Sequence, residues 1–131
     1  MKQPYVIVAD DDADQRELLG LRLRREGFAV ETVSDGKELL ELLERAAEHP
    51  GPSPISLVIS DLMMPDCTGW EVLEAMRRRR IHVPVLVVSA VADLLSYTQA
   101  LALGAKAVLK KPFEWGELRA AVFGAMTPVQ A

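Results

Sequence analysis

The chain has 131 residues, enough for one domain with one hydrophobic core, and half of them are apolar. A net charge of −4 disfavours direct binding to nucleic acid, since a protein that holds the phosphate backbone needs a basic face. The single cysteine, Cys67, excludes a disulfide bond within the chain. No apolar run reaches the roughly 18 residues of a membrane span, and the first residues lack a signal-peptide pattern. We therefore expect a cytoplasmic protein that does not enter a membrane.

Five strand-like segments alternate with five helix-like segments along the chain. The sequence predicts strands over about residues 5–9, 28–33, 55–60, 84–88 and 106–109. It predicts helices over about residues 13–26, 35–48, 68–76, 92–103 and 114–126. Capping residues support three helix starts, at Asp12, Asp35 and Thr68. In the first helix, Leu18, Leu19 and Leu23 are predicted to form the buried stripe.

Strict alternation of strand and helix is typical of an α/β fold with a parallel sheet covered on both faces. Right-handed crossovers and five strands favour a doubly wound, flavodoxin-like arrangement with strand order 2-1-3-4-5. The proline-rich stretch 49–54 is short enough to be a loop. We expect residues 1–131 to form a single domain with a core over about 4–126 and a frayed tail over 127–131.

Three carboxylates follow two strands that are neighbours in this arrangement. Asp10 and Asp11 follow the first strand, and Asp61 follows the third. Ligands of open α/β sheets bind outside the carboxyl ends of the strands, so the three side chains should share one crevice. Each close pair of negative charges costs about 3–4 kcal/mol at an effective dielectric of about 20. A hard divalent cation, foremost Mg²⁺, and the ammonium group of Lys111 after the fifth strand would offset that repulsion.

A carboxylate, Mg²⁺ and a lysine in one pocket form the equipment for phosphoryl transfer, because the cations neutralise phosphoryl oxygens during in-line attack. Aspartate is an accepted nucleophile that forms an acyl phosphate. After the fourth strand, Ser89 adds a hydroxyl that can bind a phosphoryl oxygen, and Ala90 leaves room for access. The residues therefore favour a site that carries a phosphoryl group.

Five short motifs, each at the end of a strand or helix, occur in a fixed order along the chain. They are Asp10-Asp11, Asp61 with Met64-Pro65 and Gly69, Ser89-Ala90, Gly104-Ala105 and Lys111-Pro112-Phe113. Each motif is common by itself, but the ordered set resembles the receiver domain of two-component response regulators, with its CheY-like fold, over nearly the whole chain. The resemblance implies a phosphoacceptor module of a two-component system or phosphorelay, which is a signalling domain that assists its own phosphorylation and dephosphorylation, not a turnover enzyme.

The resemblance also assigns roles to the acidic residues. It implies that Asp61 accepts a phosphoryl group from a sensor histidine kinase or a histidine phosphotransfer protein. Asp11 would bind Mg²⁺ directly, Asp10 mostly through water, and the main-chain carbonyl of Met63 would complete the metal site together with Asp61. Mn²⁺ could replace Mg²⁺ there.

Four further positions receive roles from the same resemblance. Ser89 and Ala90 would contact the phosphoryl group, and Ser89 would report its presence. Lys111 would pair with phosphoryl oxygens, and its bond to Pro112 is expected to be cis.

Some positions depart from the receiver pattern or tune its rates. The usual aromatic switch residue is replaced by Val108, whose β-branched side chain is stiff. The switch either runs through the backbone after Ser89 and the fourth helix, which we favour, or the coupling is weak and the protein mainly relays phosphate. Met63 and Val91 are apolar and cannot orient a water molecule, so we predict slow self-dephosphorylation.

Partners follow from the resemblance, and three other functions remain as alternatives. A downstream target or an output domain outside this chain would read the fourth helix, fifth strand and fifth helix, through which a homodimer could also form. A phosphatase of the haloacid dehalogenase type would use Asp10 and Asp12 as a crude D-x-D pair, but the chain has no room for a cap domain. A phosphorylation-independent binding module is disfavoured by the intact acids. A flavin carrier is disfavoured because no Ser/Thr/Gly-rich loop follows the first strand.

The remaining polar residues have simpler interpretations. We expect Asp12 and Asp14 to stabilise a helix start, and His49 and His82 to lie at the surface. The run Arg77–Arg80 falls where the third helix should end, where positive charge complements the helix dipole. Cys67 has no neighbour in the sequence that would activate its thiol.

Overall fold

The fold is a five-stranded parallel sheet in a computed structural model that describes residues 3–90 and 93–126. The strands are β1 (Tyr5–Ala9), β2 (Ala29–Val33), β3 (Leu57–Ser60), β4 (Val85–Ser89) and β5 (Ala107–Lys110). Their order across the sheet is β2-β1-β3-β4-β5, which confirms the predicted doubly wound α/β topology. The expected tail 127–131 and the rate-tuning position Val91 lie outside the described residues.

Five helices connect or follow the strands. They are α1 (Ala13–Arg25), α2 (Gly36–Ala47), α3 (Gly69–Arg78), α4 (Leu94–Ala102) and α5 (Trp115–Met126). The predicted caps are confirmed, because Asp12, Asp35 and Thr68 each accept hydrogen bonds from N–H groups of the first turn. Thr68 and Glu71 form a reciprocal capping box. Asp93 adds a fourth cap through the N–H of Ser96.

Helices cover both faces of the sheet and divide the core into two clusters. One face carries α2, α3 and α4, which bury Leu39, Leu73 and Ala100 against the strands. The other face carries α1 and α5, which bury Leu23 and Leu118 against alternate residues of the same strands. The central strands β1, β3 and β4 are buried almost throughout, whereas β2 at the edge is more exposed, as its mixed sequence predicts.

The predicted stripe of α1 is wrong at one residue. Leu18 is 52% exposed, whereas Leu19 and Leu23 are buried. Leu19 and Leu23 are four residues apart and share the helix face that packs against the sheet. Leu18 is rotated about 100° from Leu19 around the helix axis and lies outside that face. A cluster of leucines in the sequence therefore did not by itself define which of them face the sheet.

Two further details differ from the predictions. Ile55 and Ser56 precede β3 and do not belong to it, although Ile55 is buried and the N–H of Ser56 donates to the carbonyl of Tyr5 at 2.8 Å. The helix α4 begins at Leu94, after its cap at Asp93, and not at about residue 92. Among the described helices, none has the length and the apolar composition needed to cross a membrane.

Candidate functional site

The two buried acids of the site leave adjacent strands at the same edge of the sheet. Asp10 directly follows β1, and Asp61 directly follows β3. The N–H of Asp61 donates to the carbonyl of Ala9 at 3.0 Å, and the N–H of Asp10 donates to the carbonyl of Val33 at 3.2 Å. Sheet-like hydrogen bonds therefore continue to the acids themselves and fix their backbones relative to three strands.

The structure brings the three predicted carboxylates together. One oxygen from each of Asp10, Asp11 and Asp61 lies within 4.8 Å of the others. Asp10 and Asp61 are buried, whereas Asp11 is exposed at the mouth of the cluster. The predicted crevice between β1 and β3 is thus an acidic one, open on the side of Asp11.

Lys111 bridges the two buried carboxylates. Its Nζ donates to Oδ2 of Asp10 and to Oδ2 of Asp61, both at 2.8 Å. Burial alone would lower the pKa of Lys111, but the hydrogen bonds and negative charges of Asp10 and Asp61 outweigh it and raise the pKa. The main-chain N–H of Lys111 donates to the carbonyl of Ser89 at 2.8 Å, and the bond to Pro112 is cis as predicted.

Main-chain groups hold the other oxygens of the buried acids. Oδ1 of Asp10 accepts from the N–H of Asp12 at 2.9 Å, and Oδ1 of Asp61 accepts from the N–H of Met63 at 3.1 Å. Each buried carboxylate therefore has one oxygen on the ammonium group and one on a turn of the backbone. This double attachment orients both carboxylates before any ligand arrives.

Two supporting residues were missed or left unexplained by the sequence. Arg16 of α1 donates from Nη1 to the main-chain carbonyl of Asp10 at 2.8 Å, and nothing in the sequence marks it. Gly69 at the start of α3 lies so close to the loop after β3 that a Cβ atom would stand 2.5 Å from the carbonyl oxygen of Asp61. A side chain would displace that backbone, which explains physically why glycine fits this motif position.

The remaining predicted site residues surround the cluster. Ser89 is buried at the end of β4, and Ala90 beside it is exposed. Met63 is exposed in the loop after Asp61, where its main-chain carbonyl was predicted to bind metal. Val108 is half-buried and packs against the cluster beneath α2, α3 and α4.

Other acids and the cysteine have structural roles. The carboxylate of Asp12 accepts from the N–H groups of Asp14 and Gln15, which leaves it a helix cap as expected. Burial, reinforced by the negative charges of Glu71 and Asp35, raises the pKa of the Cys67 thiol. Asp12 is therefore poorly suited to be the acid of a D-x-D pair, and Cys67 is not an activated nucleophile.

The donor set fits a hard divalent cation. All side-chain ligands offered by Asp10, Asp11 and Asp61 are carboxylate oxygens, the type that Mg²⁺ prefers. Two Mg²⁺ ligands on opposite sides of the ion are about 4 Å apart, so a spread within 4.8 Å requires only a small inward movement. The exposed side chain of Asp11 can supply that movement.

Comparison with known proteins identifies the family. A family model described as the response regulator receiver domain matches residues 6–123. The probable transcriptional regulator ycf27 of Porphyridium aerugineum is 35% identical over 93% of this chain and 48% of its own length. Response regulator SaeR of Staphylococcus aureus (strain USA300) is 29% identical over 87% of this chain and 46% of its own length. The chain thus spans about half the length of these curated relatives.

Solved receiver domains match the full fold. The receiver domain of the Francisella response regulator 1452 is 28% identical, with a TM-score of 0.83 over 95% of this chain and 97% of the other. The Vibrio cholerae chemotaxis protein CheY4 is 27% identical, with a TM-score of 0.82 over 95% of this chain and 99% of the other. Receiver domains bind Mg²⁺ in an acidic pocket and interact with histidine kinases and downstream effectors. This chain belongs to the response regulator receiver domain family, the phosphoacceptor signalling domains of two-component systems.

Proposed function

We propose that Asp61 accepts a phosphoryl group from a sensor histidine kinase or a histidine phosphotransfer protein. The observation that carries this proposal is the position of the Lys111 ammonium group, 2.8 Å from the carboxylates of both Asp10 and Asp61. In this step an O–P bond forms at the Asp61 carboxylate while the P–N bond of the donor phosphohistidine breaks. The histidine, which stays part of the donor protein, is the leaving group, and its nitrogen takes up a proton.

Lys111 has two tasks in this scheme. Before transfer it neutralises the carboxylates of Asp10 and Asp61, which keeps two buried negative charges compatible with folding. After transfer its ammonium group pairs with a phosphoryl oxygen on Asp61, because the negative charge at Asp61 then lies on the oxygens that the phosphoryl group brings with it. Ser89 and Ala90 lie at the end of β4 beside Lys111. There the hydroxyl of Ser89 would bind a phosphoryl oxygen, and the small side chain of Ala90 would leave space for the phosphoryl group.

Asp10, Asp11, Asp61 and the main-chain carbonyl of Met63 would hold Mg²⁺, or Mn²⁺ in its place. The bound cation would supply charge neutralisation for the phosphoryl oxygens. The chain's own contribution is orientation, since backbone N–H groups fix Oδ1 of Asp10 and of Asp61. Asp11 is exposed and its carboxylate accepts no such bond from the residues that the structure describes, so its side chain would complete the site when the cation binds.

Phosphorylation of Asp61 is tested with acetyl phosphate, in the presence and absence of Mg²⁺. We expect one phosphoryl adduct by mass spectrometry that requires Mg²⁺ and is removed by hydroxylamine, as an acyl phosphate should be. Asp61→Asn should abolish the adduct. The matched control is Asp66→Asn in the same loop, an exposed acid with a positive φ that asparagine tolerates. Adduct formation on Asp61→Asn, or its loss in Asp66→Asn alone, would contradict the assignment.

The lifetime of the phosphorylated form should be long. Met63 is apolar and exposed, so its side chain cannot hold an attacking water molecule by a hydrogen bond. We expect decay over minutes or longer, and faster decay in Met63→Gln, measured by loss of the adduct after removal of the donor. A half-life of seconds in the wild type would refute this expectation.

We propose that α4, β5 and α5 carry the signal to a downstream target or to an output domain outside this chain. Leu94, Leu95, Tyr97 and Leu101 of α4 are exposed, and residues 94–102 contain no charged side chain. An apolar helix face of this kind favours a protein partner, including a second copy of the chain. Because the kinase reaction uses cytosolic ATP, we also propose that the protein acts in the cytoplasm.

A further inference from the structure

A second concave region lies at the end of the sheet opposite the acidic cluster. It is bordered by the last turns of α3, α4 and α5 and by the segments that enter β4 and β5. Its volume is about 530 Å³, within the range of about 300–1,000 Å³ that is typical of small-molecule sites. Because parallel strands begin at this end, the cavity shares no residue with the cluster of Asp10, Asp11 and Asp61.

The cavity lies beside the turns that end α3 and α4. The helix α3 ends in a turn where Arg80 has a φ of 58° and the N–H of Ile81 donates to the carbonyl of Met76 at 2.8 Å. The helix α4 ends in a similar turn at Gly104, whose φ is 109°. After each of these two turns the backbone runs toward the next strand, and the cavity lies between the helix ends.

The floor of the cavity is apolar and reaches the core. Met76, Val83 and Val85 line it and are buried, and Ile81 and Leu103 line it and are partly buried. Methionine is flexible and adapts to irregular shapes, so this floor can accept an apolar body of variable outline. A ligand that covers this floor removes apolar surface from water, which stabilises the complex.

Every polar side chain that lines the cavity within the described residues ends in a nitrogen group. Arg77, His82 and Lys106 line it, and no acidic side chain of the described residues does. Nη1 of Arg77 donates to the carbonyl of Ala102 at 3.5 Å, so this guanidinium also stabilises the C-terminal end of α4. The side chains of His82 and Lys106 make no hydrogen bond or ion pair within residues 3–90 and 93–126.

The local charge contrasts with the charge of the whole protein. The chain has a net charge of −4, yet the helix end beside the cavity carries the run Arg77–Arg80, of which Arg79 is paired with Glu44. Positive charge around an apolar depression attracts ligands that combine an anionic group with an apolar body.

We propose that this cavity binds a small amphipathic organic anion, with a carboxylate or phosphate group between Arg77 and Lys106 and an apolar body on the floor formed by Met76 and Val85. The observation behind it is an apolar floor together with cationic side chains at the rim and no acidic one among the described lining residues. The proposal does not depend on phosphorylation of Asp61, because the two sites lie at opposite ends of the strands.

The test is an amide NMR titration of the full chain without Mg²⁺ or a phosphoryl donor. The probes are octanoate, octyl phosphate, octanol and octyltrimethylammonium. We expect saturable shifts at residues 81–85 and 102–106 with the two anions, and binding at least about fivefold weaker for octanol and the cation. The tighter of the two anions identifies the head group that the site prefers.

Charge-removing variants locate the site. Lys106→Gln and Arg77→Gln should each weaken octanoate binding by about fivefold. Lys37→Gln, an exposed lysine of α2 that does not line the cavity, should leave binding unchanged. The proposal is overturned if neither anion gives saturable shifts at the cavity, or if Lys37→Gln matches Lys106→Gln. Equal binding of octanol would also overturn it and would favour a neutral apolar occupant.

Discussion

At the scale of single residues, Lys111 makes the acidic cluster compatible with a folded protein. Its ammonium group forms ion pairs with Asp10 and Asp61, and all three side chains are largely buried. Removing one partner of a buried ion pair leaves an uncompensated charge, which costs more than an exposed pair is worth. The stability of the domain without metal should therefore depend on this one residue.

We predict that Lys111→Met lowers the free energy of unfolding by about 3 kcal/mol at neutral pH without Mg²⁺. The measurement is urea unfolding followed by circular dichroism. Lys110→Met is the matched control, because Lys110 is the exposed neighbour in the sequence and should change stability little. Similar losses in the two variants would show that the ion pairs with Asp10 and Asp61 are not the cause.

The difference in the free energy of unfolding between wild type and Lys111→Met should depend on pH in a defined direction. Hydrogen bonds and charges raise the pKa of Lys111 above its ordinary value of 10.5, despite the opposing effect of burial. A raised pKa means that the stabilisation is complete below 10.5 and is lost only as the pH rises through the higher folded value. The gap between wild type and Lys111→Met should stay constant from neutral to mildly alkaline pH and shrink only above that range.

Cys67 should react slowly with alkylating reagents. Burial, followed by the charges of Glu71 and Asp35, raises the pKa of its thiol above the ordinary value of 9.0, which reduces the thiolate fraction at neutral pH. We expect iodoacetamide to modify the folded protein more slowly than the unfolded chain. Glu71→Gln should accelerate the reaction, because glutamine keeps the capping bond to Thr68 but removes the charge. An unchanged rate in that variant would contradict this explanation.

At the scale of secondary-structure elements, close approach between α3 and the loop after β3 positions Asp61, the proposed phosphoacceptor. The N–H of Gly69 donates to the carbonyl of Leu62 at 2.9 Å, and the hydroxyl of Ser60 donates to the carbonyl of Asp61 at 2.9 Å. The heavy atoms nearest to a Cβ atom at position 69 would be the carbonyl oxygen of Asp61 at 2.5 Å, Cα of Leu62 at 2.8 Å and Cδ2 of Leu62 at 3.2 Å. The start of α3 and the acid therefore move together.

We predict opposite effects for two glycine-to-alanine substitutions. Gly69→Ala should destabilise the protein by about 1–3 kcal/mol and slow phosphorylation, because its Cβ would lie 2.5 Å from the carbonyl oxygen of Asp61. Gly116→Ala in α5 has nothing within 4 Å of the new Cβ and should stabilise by about 0.5–1 kcal/mol. Urea unfolding and acetyl phosphate labelling measure both. Equal effects would mean that the contact at Asp61 is unimportant.

At the scale of the whole molecule, the central question is how the proposed phosphorylation of Asp61 would change α4. Val108, at the position where the resemblance to receiver domains predicts an aromatic switch residue, packs half-buried against the core cluster that also contains Ala100 of α4. Lys111 connects Asp61 to the end of β4: its ammonium group pairs with Asp61, and its main-chain N–H donates to the carbonyl of Ser89. This connection favours a route through the backbone after Ser89.

We predict that beryllofluoride with Mg²⁺ shifts amide resonances of α4 as well as those around Asp61. The reason is that a phosphoryl mimic draws Ser89 and Lys111 together, and the backbone after Ser89 leads into α4. Asp61→Asn with the same reagent is the control and should show no shift. If wild-type α4 stays unchanged while the resonances around Asp61 respond, the coupling is weak and the protein mainly relays phosphate.

The sequence by itself determined the order of strands and helices, their caps and the edge at which the acids meet. These features depend on local periodicity and on side chains such as Asp12 and Thr68 that bond to their own helix, so a short window of sequence contains the cause. The crevice of Asp10 and Asp61 followed from the same reasoning, because parallel strands end at one edge of the sheet.

Only the tertiary structure decided which groups touch. Lys111 follows Asp10 by 101 residues, and no local pattern states which carboxylate oxygen its ammonium group meets. The bond from Arg16 to the carbonyl of Asp10, the contact at Gly69 and the exposure of Leu18 depend likewise on how helices pack and loops turn. Packing combines residues from distant parts of the chain, so these contacts are properties of the folded molecule.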